Sequence, residues 1–153
     1  MELINEEPNF EYGGFWIRFV AYLIDSIILY FAFSLLVFIF TGDLFYQSKI
    51  DPMAFGKDYW LITSSNVILS LLYFVGMESS KYQASLGKMV FGLKVIDLEG
   101  QRLTPLRALG RYLGKILSAL ILLIGFIMAG FDSKKQALHD KIASTYVIQE
   151  SRA

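Results

Sequence analysis

The sequence predicts an all-α transmembrane fold with three hydrophobic helices and a cytoplasmic connection that carries a short β-hairpin. Hydrophobic residues make up 55% of the 153 residues, which is typical of a membrane protein. Three apolar segments cover about residues 15–40, 59–77 and 112–131. About 20 apolar residues in a helix cross the ~30 Å hydrocarbon core of a bilayer, so each segment is close to spanning length. Apolar and polar residues alternate around Glu99-Gly100, which predicts the hairpin.

The first apolar segment contains a charged residue far from either end. Past Arg18, its only carboxylate or amine belongs to Asp25, which lies roughly 15 Å deep by helix rise. A carboxylate at that depth costs about 2.5–3.5 kcal/mol on insertion scales. We therefore expect Asp25 to bind a cation or proton. The alternative is that Asp25 only joins helices by hydrogen bonding, while Arg18 reaches lipid headgroups.

Arg18 and Asp25 share one face of the first helix. They are seven residues apart, so a direct contact within the helix is just out of easy reach. We expect a water molecule or a residue from another helix to complete the connection.

The second apolar segment has a polar stripe at steps of three and four residues. Asn66 and Ser70 are its central members, and Tyr73 follows one turn later. One interpretation is that this stripe faces Asp25 and lines a polar pathway. The other is packing between helices, where hydrogen bonds average about 0.6 kcal/mol.

The third apolar segment begins with basic residues and continues with small ones. Thr104-Pro105 is a typical helix start, with Thr as the N-cap. Arg107, Arg111 and Lys115 then recur at four-residue steps, which favours contact with anionic lipid headgroups over an anionic ligand. Small residues follow in register, which favours close helix packing: Gly110, Gly114, Ser118, Gly125 and Ala129.

Two topologies remain open. Three spans divide the basic residues eight against six across the membrane, whereas a re-entrant third segment divides them twelve against two. The re-entrant arrangement would also let the strand-like residues 92–98 and 144–149 meet. Both topologies place the N-terminus and the second connection in the cytoplasm.

Several functional classes are excluded or disfavoured. The chain has no cysteine, which removes disulfides, thiolate metal sites and a cysteine nucleophile. The net charge is zero, so no nucleic-acid partner is expected. Residues 85–88 do not fit a phosphate-binding loop, and His139 is the only histidine, so a packing role suits it. We expect no metal, no cofactor and no enzymatic activity. The first twelve residues are acidic and lack a basic n-region, so we expect no cleaved signal peptide.

An ordered set of short motifs resembles the RDD family of small membrane proteins, named for one arginine and two aspartates. The matching segments are Gly14-Phe-Trp-Ile-Arg18, Ala21-Tyr-Leu-Ile-Asp25, Ser85-Leu-Gly-Lys88, Gly92-Leu-Lys-Val-Ile-Asp97, Gly100, Arg107-Ala-Leu-Gly-Arg111, Phe131-Asp132, Gln136-Ala-Leu-His139-Asp140-Lys-Ile-Ala143 and Thr145. By this resemblance, residues 13–148 form an RDD-type membrane domain between an acidic tail, 1–12, and a C-terminal tail, 149–153. The second family aspartate would be Asp132 or Asp140, and we favour Asp140.

The resemblance implies a multi-pass protein of the bacterial cytoplasmic membrane with a proposed transport role. Cation/proton antiport has been suggested for some members of the family. Since three spans are too few to enclose a pathway, we expect a homo-oligomer or a partner membrane protein in the lipid bilayer. Small cations or protons are the expected ligands. The alternative is a non-transporting adaptor or a regulatory or assembly subunit.

Overall fold

Two long helices carry most of the apolar surface in the computed structural model, which describes residues 10–49, 53, 56–120 and 124–150. Helix α1 is Phe15–Thr41 and helix α2 is Lys57–Ser79. Both are long and apolar enough to cross a membrane. Only 17% and 6% of the residues in their most apolar windows are buried. The core helix of a soluble protein would bury its apolar face, so this exposed apolar surface suits lipid.

A small cap of short helices and strands covers one end of α1 and α2. Its helices are α3, Leu86–Val90, α4, Pro105–Leu120, α5, Ile124–Ile127, and α6, Leu138–Ile142. Its strands are β1, Phe10–Tyr12, β2, Leu93–Asp97, and β3, Thr145–Glu150. Single 3-10 turns cover Tyr46–Lys49 and Met128–Gly130. The sheet order is β1-β3-β2, and both pairs are antiparallel.

The apolar core of the cap lies between the sheet, α1 and α4. It contains Ala21, Leu93, Val95, Leu103, Ala108 and Val147, all almost fully buried. Val95 and Val147 are register partners across β2 and β3. This core fixes the sheet against the end of α1 that carries Arg18.

The prediction of a β-hairpin around Glu99-Gly100 is wrong. The turn exists, since the Asp97 carboxylate accepts hydrogen bonds from the amides of Glu99 and Gln101. Residues 101–104, however, form no strand. Only four residues separate Gly100 from the start of α4, which leaves too little chain for a return strand. Instead β2 pairs with β3, so the strand-like residues 92–98 and 144–149 do meet.

The third apolar segment is not one straight helix. Helix α4 ends at Leu120, and residues 121–123 lie outside the described part of the chain. A Cβ atom at Gly125 would lie 2.7 Å from the Ser118 Cβ atom. Seven residues in a straight helix advance roughly 10.5 Å, so the chain turns back between these two positions. A third continuous span is therefore not confirmed for this segment, and a re-entrant form is not confirmed either.

Helix α3 lies directly on α1 at a position where only glycine fits. A Cβ atom at Gly87 would lie 2.1 Å from the Ala21 carbonyl oxygen and 2.9 Å from the Asp25 carboxyl carbon. Real Cβ atoms do not approach a backbone oxygen so closely, so a side chain here would push α3 away from α1.

We expect Gly87→Ala to destabilise the protein by about 3 kcal/mol, because overpacking against backbone cannot relax cheaply. Gly110→Ala is the matched control, since Gly110 has no atom within 4 Å of the added Cβ position and lies in helix α4. The control should be neutral or stabilising by about 0.5–1 kcal/mol. Thermal unfolding in detergent measures both. Equal melting temperatures for the two variants would contradict the close approach.

Candidate functional site

Asp25 of helix α1 is buried, and its carboxylate accepts hydrogen bonds from uncharged donors. Its Oδ1 atom accepts hydrogen bonds from the Tyr73 hydroxyl at 2.7 Å and from the Gly87 amide at 2.7 Å. Its Oδ2 atom accepts one from the Ser85 hydroxyl at 2.5 Å. The Tyr73 hydroxyl oxygen in turn accepts a hydrogen bond from the Leu86 amide at 2.9 Å. Among the described residues, no basic side chain forms an ion pair with Asp25.

The segment Ser85-Leu-Gly-Lys88 explains this arrangement. Ser85 is the N-cap of α3, and the first amides of any helix have no partner within the helix. The Asp25 carboxylate satisfies one of them at Gly87. The close approach of Gly87 to α1 is what brings that amide within reach.

A second set of buried charges lies around Arg111 of helix α4. The Arg111 guanidinium is almost fully buried and bridges two carboxylates. Its Nε and Nη2 atoms donate to the Asp140 Oδ1 atom at 2.9 and 2.6 Å. Its Nη1 atom donates to the Glu78 Oε2 atom at 2.7 Å. One side chain thus joins α2, α4 and α6.

Three further basic side chains complete this set, which we call the charge cluster: Arg18, Glu78, Lys88, Arg111, Lys115 and Asp140. Lys88 and Lys115 both donate to the Glu78 Oε1 atom, at 2.5 and 3.1 Å. Arg18 donates to the Asp140 carboxylate and also to the carbonyl oxygens of Gly13 and Lys135. The charge cluster therefore ties the start of α1 to the end of the chain.

Burial and charge act against each other on the titratable groups of the cap. Burial alone would raise the pKa of the Asp140 carboxyl, but Arg111 above all outweighs it and holds that pKa well below its usual range. Burial lowers the pKa of Lys88 to about 7, against the attraction of Glu78. Burial also lowers the pKa of His139 to about 3, so this imidazole is neutral near pH 7.

His139 is a packing residue at the edge of the charge cluster. Its ring lies 5.1 Å from the Phe126 ring, and a Cβ atom added at Gly114 would lie 3.0 Å from the His139 Cβ atom. Within the described ranges, its Nδ1 atom is buried without a hydrogen-bond partner.

The expected site residues separate into two groups. Arg18 and Asp25 share a helix face but bind different partners, and among the described residues no side chain bridges them. Asn66 is exposed and Ser70 is half-buried, and neither donates to Asp25 in the part of the chain that is described. Tyr73 is the member of the polar stripe that reaches Asp25.

The basic stripe of α4 is divided among three environments. Arg111 is enclosed by two carboxylates, and Arg107 donates to Asp97 at 3.0 Å. Lys115 lies at the edge of the charge cluster with 16% of its side-chain surface exposed. Of the two candidate family aspartates, Asp140 belongs to the cluster, whereas Asp132 binds loop amides and Lys141.

Sequence reasoning missed Glu78, Ser85, Gly87 and Lys88 as contributors to the site. One signal in the sequence could have identified Glu78. It is a carboxylate one residue before the end of a span, and a carboxylate there needs basic partners, in which this chain is rich. The other three were noticed only as an imperfect phosphate-binding loop and as one of the segments that resemble the RDD family. Ser85 and Gly87 bind Asp25, which is 60 and 62 residues away in sequence, whereas Lys88 binds Glu78.

The geometry defines a small helical membrane protein whose two candidate spans are joined at one end by a cap with buried charges. The chain belongs to the RDD family, whose sequence profile matches residues 12–144.

Two relatives from Bacillus subtilis (strain 168) are similar over most of their length. The uncharacterized protein YxaI is 35% identical over 146 residues, which cover 89% of this chain and 96% of YxaI. The uncharacterized membrane protein YteJ is 33% identical over 145 residues, 91% of this chain and 82% of YteJ. No solved structure matches the chain. The family, the exposed apolar helices and the relative named as a membrane protein together make this chain a membrane protein.

Removing the guanidinium of Arg111 should destabilise the protein by about 3–5 kcal/mol, because two buried carboxylates would lose their shared partner. Arg111→Met tests this by thermal unfolding in detergent. Arg107→Met, one turn earlier, is the control, since its side chain is 46% exposed and should contribute about 1 kcal/mol or less. Similar losses in both variants would contradict the role of Arg111.

The stability of the cap should fall as the pH drops below 6.5. The unfolded imidazole of His139 titrates near 6.5 and the buried one at a pKa of about 3, so the unfolded state binds more protons in this window. The slope approaches about 1.4 kcal/mol per pH unit. The neighbouring charges of Asp140, Arg111, Lys115 and Lys88 are present in both wild type and His139→Gln.

Unfolding measured from pH 7.5 to 4.5 should therefore show a steeper decline in wild type than in His139→Gln. His139 is the only histidine, so no other imidazole contributes to the difference. Parallel pH profiles would show that His139 is not held neutral by burial.

Proposed function

We propose that this RDD protein is a membrane transport protein in which Asp25 binds and releases a proton or a small cation. The observation that carries the proposal is the environment of Asp25. The carboxylate is buried in a candidate span, is bound by two hydroxyls and an amide, and has no basic partner among the described residues. A proton or a cation can then compensate its charge, as a lysine or arginine would elsewhere.

The atoms around Asp25 suit a hard ligand. Carboxylate and hydroxyl oxygens favour protons and hard cations over soft transition metals. The Tyr73 and Ser85 hydroxyls can turn from donating to Asp25 toward sharing a cation with it, since each oxygen also has acceptor lone pairs. Both residues come from the side of α1 that faces α2 and α3.

We further propose that the protein works as an oligomer, or with a partner membrane protein. Asn66 lies near the middle of α2 and is exposed on the single chain. A primary amide facing hydrocarbon leaves its polar atoms unsatisfied, which is costly. A second protomer that covers Asn66 and Ser70 would satisfy them and provide the other wall of a pathway.

We assign the charge-cluster end of the spans to the cytoplasmic side of a bacterial cytoplasmic membrane. Arg18 follows the start of α1 and Glu78 precedes the end of α2, so both helices reach the same side there. Basic residues concentrate at this end, which favours the cytoplasm. The N-terminus is then cytoplasmic and the protein multi-pass.

A second candidate function is a non-transporting adaptor or a regulatory or assembly subunit. The observation in its favour is that two of the three described donors to Asp25, Ser85 and Gly87, belong to the cap, and the third, Tyr73, accepts a hydrogen bond from the Leu86 amide of the cap. In this case Asp25 positions a cytoplasmic surface for another protein rather than binding an ion.

Flux measurements separate the two candidates. Purified protein in liposomes should drive cation flux under a pH gradient, and Asp25→Asn should abolish it. Asp58→Asn, at the exposed first turn of α2, is the matched control and should retain flux. Thermal unfolding confirms that each variant is folded. Undiminished flux in Asp25→Asn would refute the transport role of this residue. An inactive wild type that co-purifies with a stoichiometric partner would favour the adaptor.

A further inference from the structure

The charge cluster holds more positive than negative charge. Its two carboxylates, Glu78 and Asp140, face four basic side chains: Arg18, Lys88, Arg111 and Lys115. The surplus is two charges when Lys88 is protonated and one when it is neutral. Buried charge without compensation is costly, so a surplus of either size attracts an anion.

The surplus is concentrated at Glu78. Three basic side chains share this one carboxylate, and Arg111 also serves Asp140. Lys88 and Lys115 bind the same Glu78 oxygen, so their ammonium groups lie close together. Each ammonium has three donors. Lys115 donates a hydrogen bond to Glu78, and its Nζ atom lies 4.3 Å from the centre of the Phe74 ring.

The position of Lys88 and Lys115 relative to the spans matches the depth of lipid headgroups. Glu78 is one residue from the end of α2, and Arg18 is three residues from the start of α1. Two spans thus place the charge cluster at one edge of the hydrocarbon core. Lys115 is partly exposed there, with 16% of its side-chain surface accessible.

We propose that Lys88 and Lys115 form a binding site for a phosphate-class anion, supplied by an anionic phospholipid headgroup or by soluble phosphate. The two ammonium groups neutralise the phosphate. Arg111 takes no part, since its guanidinium is enclosed by carboxylates, and Arg107 is engaged by Asp97. The site is separate from Asp25 and does not depend on the transport proposal.

Binding is measured on the full chain purified in neutral detergent. Phosphatidylglycerol, phosphatidylcholine and inorganic phosphate are added separately, and thermal unfolding and native mass spectrometry report stabilisation and retained lipid. We expect phosphatidylglycerol to raise the melting temperature and to remain bound, and phosphatidylcholine to do neither. Lys115→Gln should weaken phosphatidylglycerol binding about five-fold, the contribution of one basic residue at an anionic surface.

Lys134→Gln is the control for net charge, because Lys134 is an exposed lysine of the same cap. It should bind phosphatidylglycerol as wild type does. Lys115→Arg keeps the charge and should retain binding even if Lys115→Gln folds poorly. Stabilisation by inorganic phosphate alone, lost in Lys115→Gln, would support the site with a soluble anion as its ligand. Equal weakening by Lys115→Gln and Lys134→Gln, or no response to either phosphate source, would overturn the proposal.

Discussion

The bridge that Arg111 makes between Glu78 and Asp140 is the interaction on which the rest of the structure depends. It joins residues 33 and 29 positions away in sequence and connects three helices through one side chain. Charges so deeply buried are tolerated only when every one has a partner. The charge cluster therefore specifies a single arrangement of α2, α4 and α6, because any shift in register would leave a carboxylate unpaired. The apolar core of the cap is small and would by itself allow several arrangements.

Two opposite charges on one face of α1 are stabilised in different ways. Arg18 is neutralised by a carboxylate from the far end of the chain, whereas Asp25 is surrounded by neutral donors. Helix α3 connects the two environments. Its first residues bind Asp25, and Lys88 within it binds Glu78. A five-residue helix is therefore bonded to both the buried carboxylate of the span and the charge cluster at its edge.

Features set by local sequence were predictable, and features set by long-range pairing were not. That Asp25 belongs to a long apolar helix followed from its apolar segment, and the start of α4 at Pro105 followed from the Thr-Pro pair. Both strands of the β2–β3 pair were visible as strand-like residues. Their pairing was raised only as part of the re-entrant alternative, because a local turn at Glu99-Gly100 resembled a hairpin while the true partner lies near the C-terminus. The charge cluster was hidden for the same reason. A basic stripe at four-residue steps looks the same whether it faces headgroups or buried carboxylates, and only the tertiary fold separates Arg111 from Arg107.

The sheet order β1-β3-β2 places the last strand of the chain between the other two. The carboxylate that pairs with Arg18 belongs to Asp140, 122 residues later in the sequence. While the ribosome is still translating the protein, both long helices can enter the bilayer, but neither the sheet nor the Arg18 pair can form. The cap thus assembles only when the C-terminal residues have been released. A chain cut short before Thr145 would insert into the membrane and still lack the central strand that closes the fold.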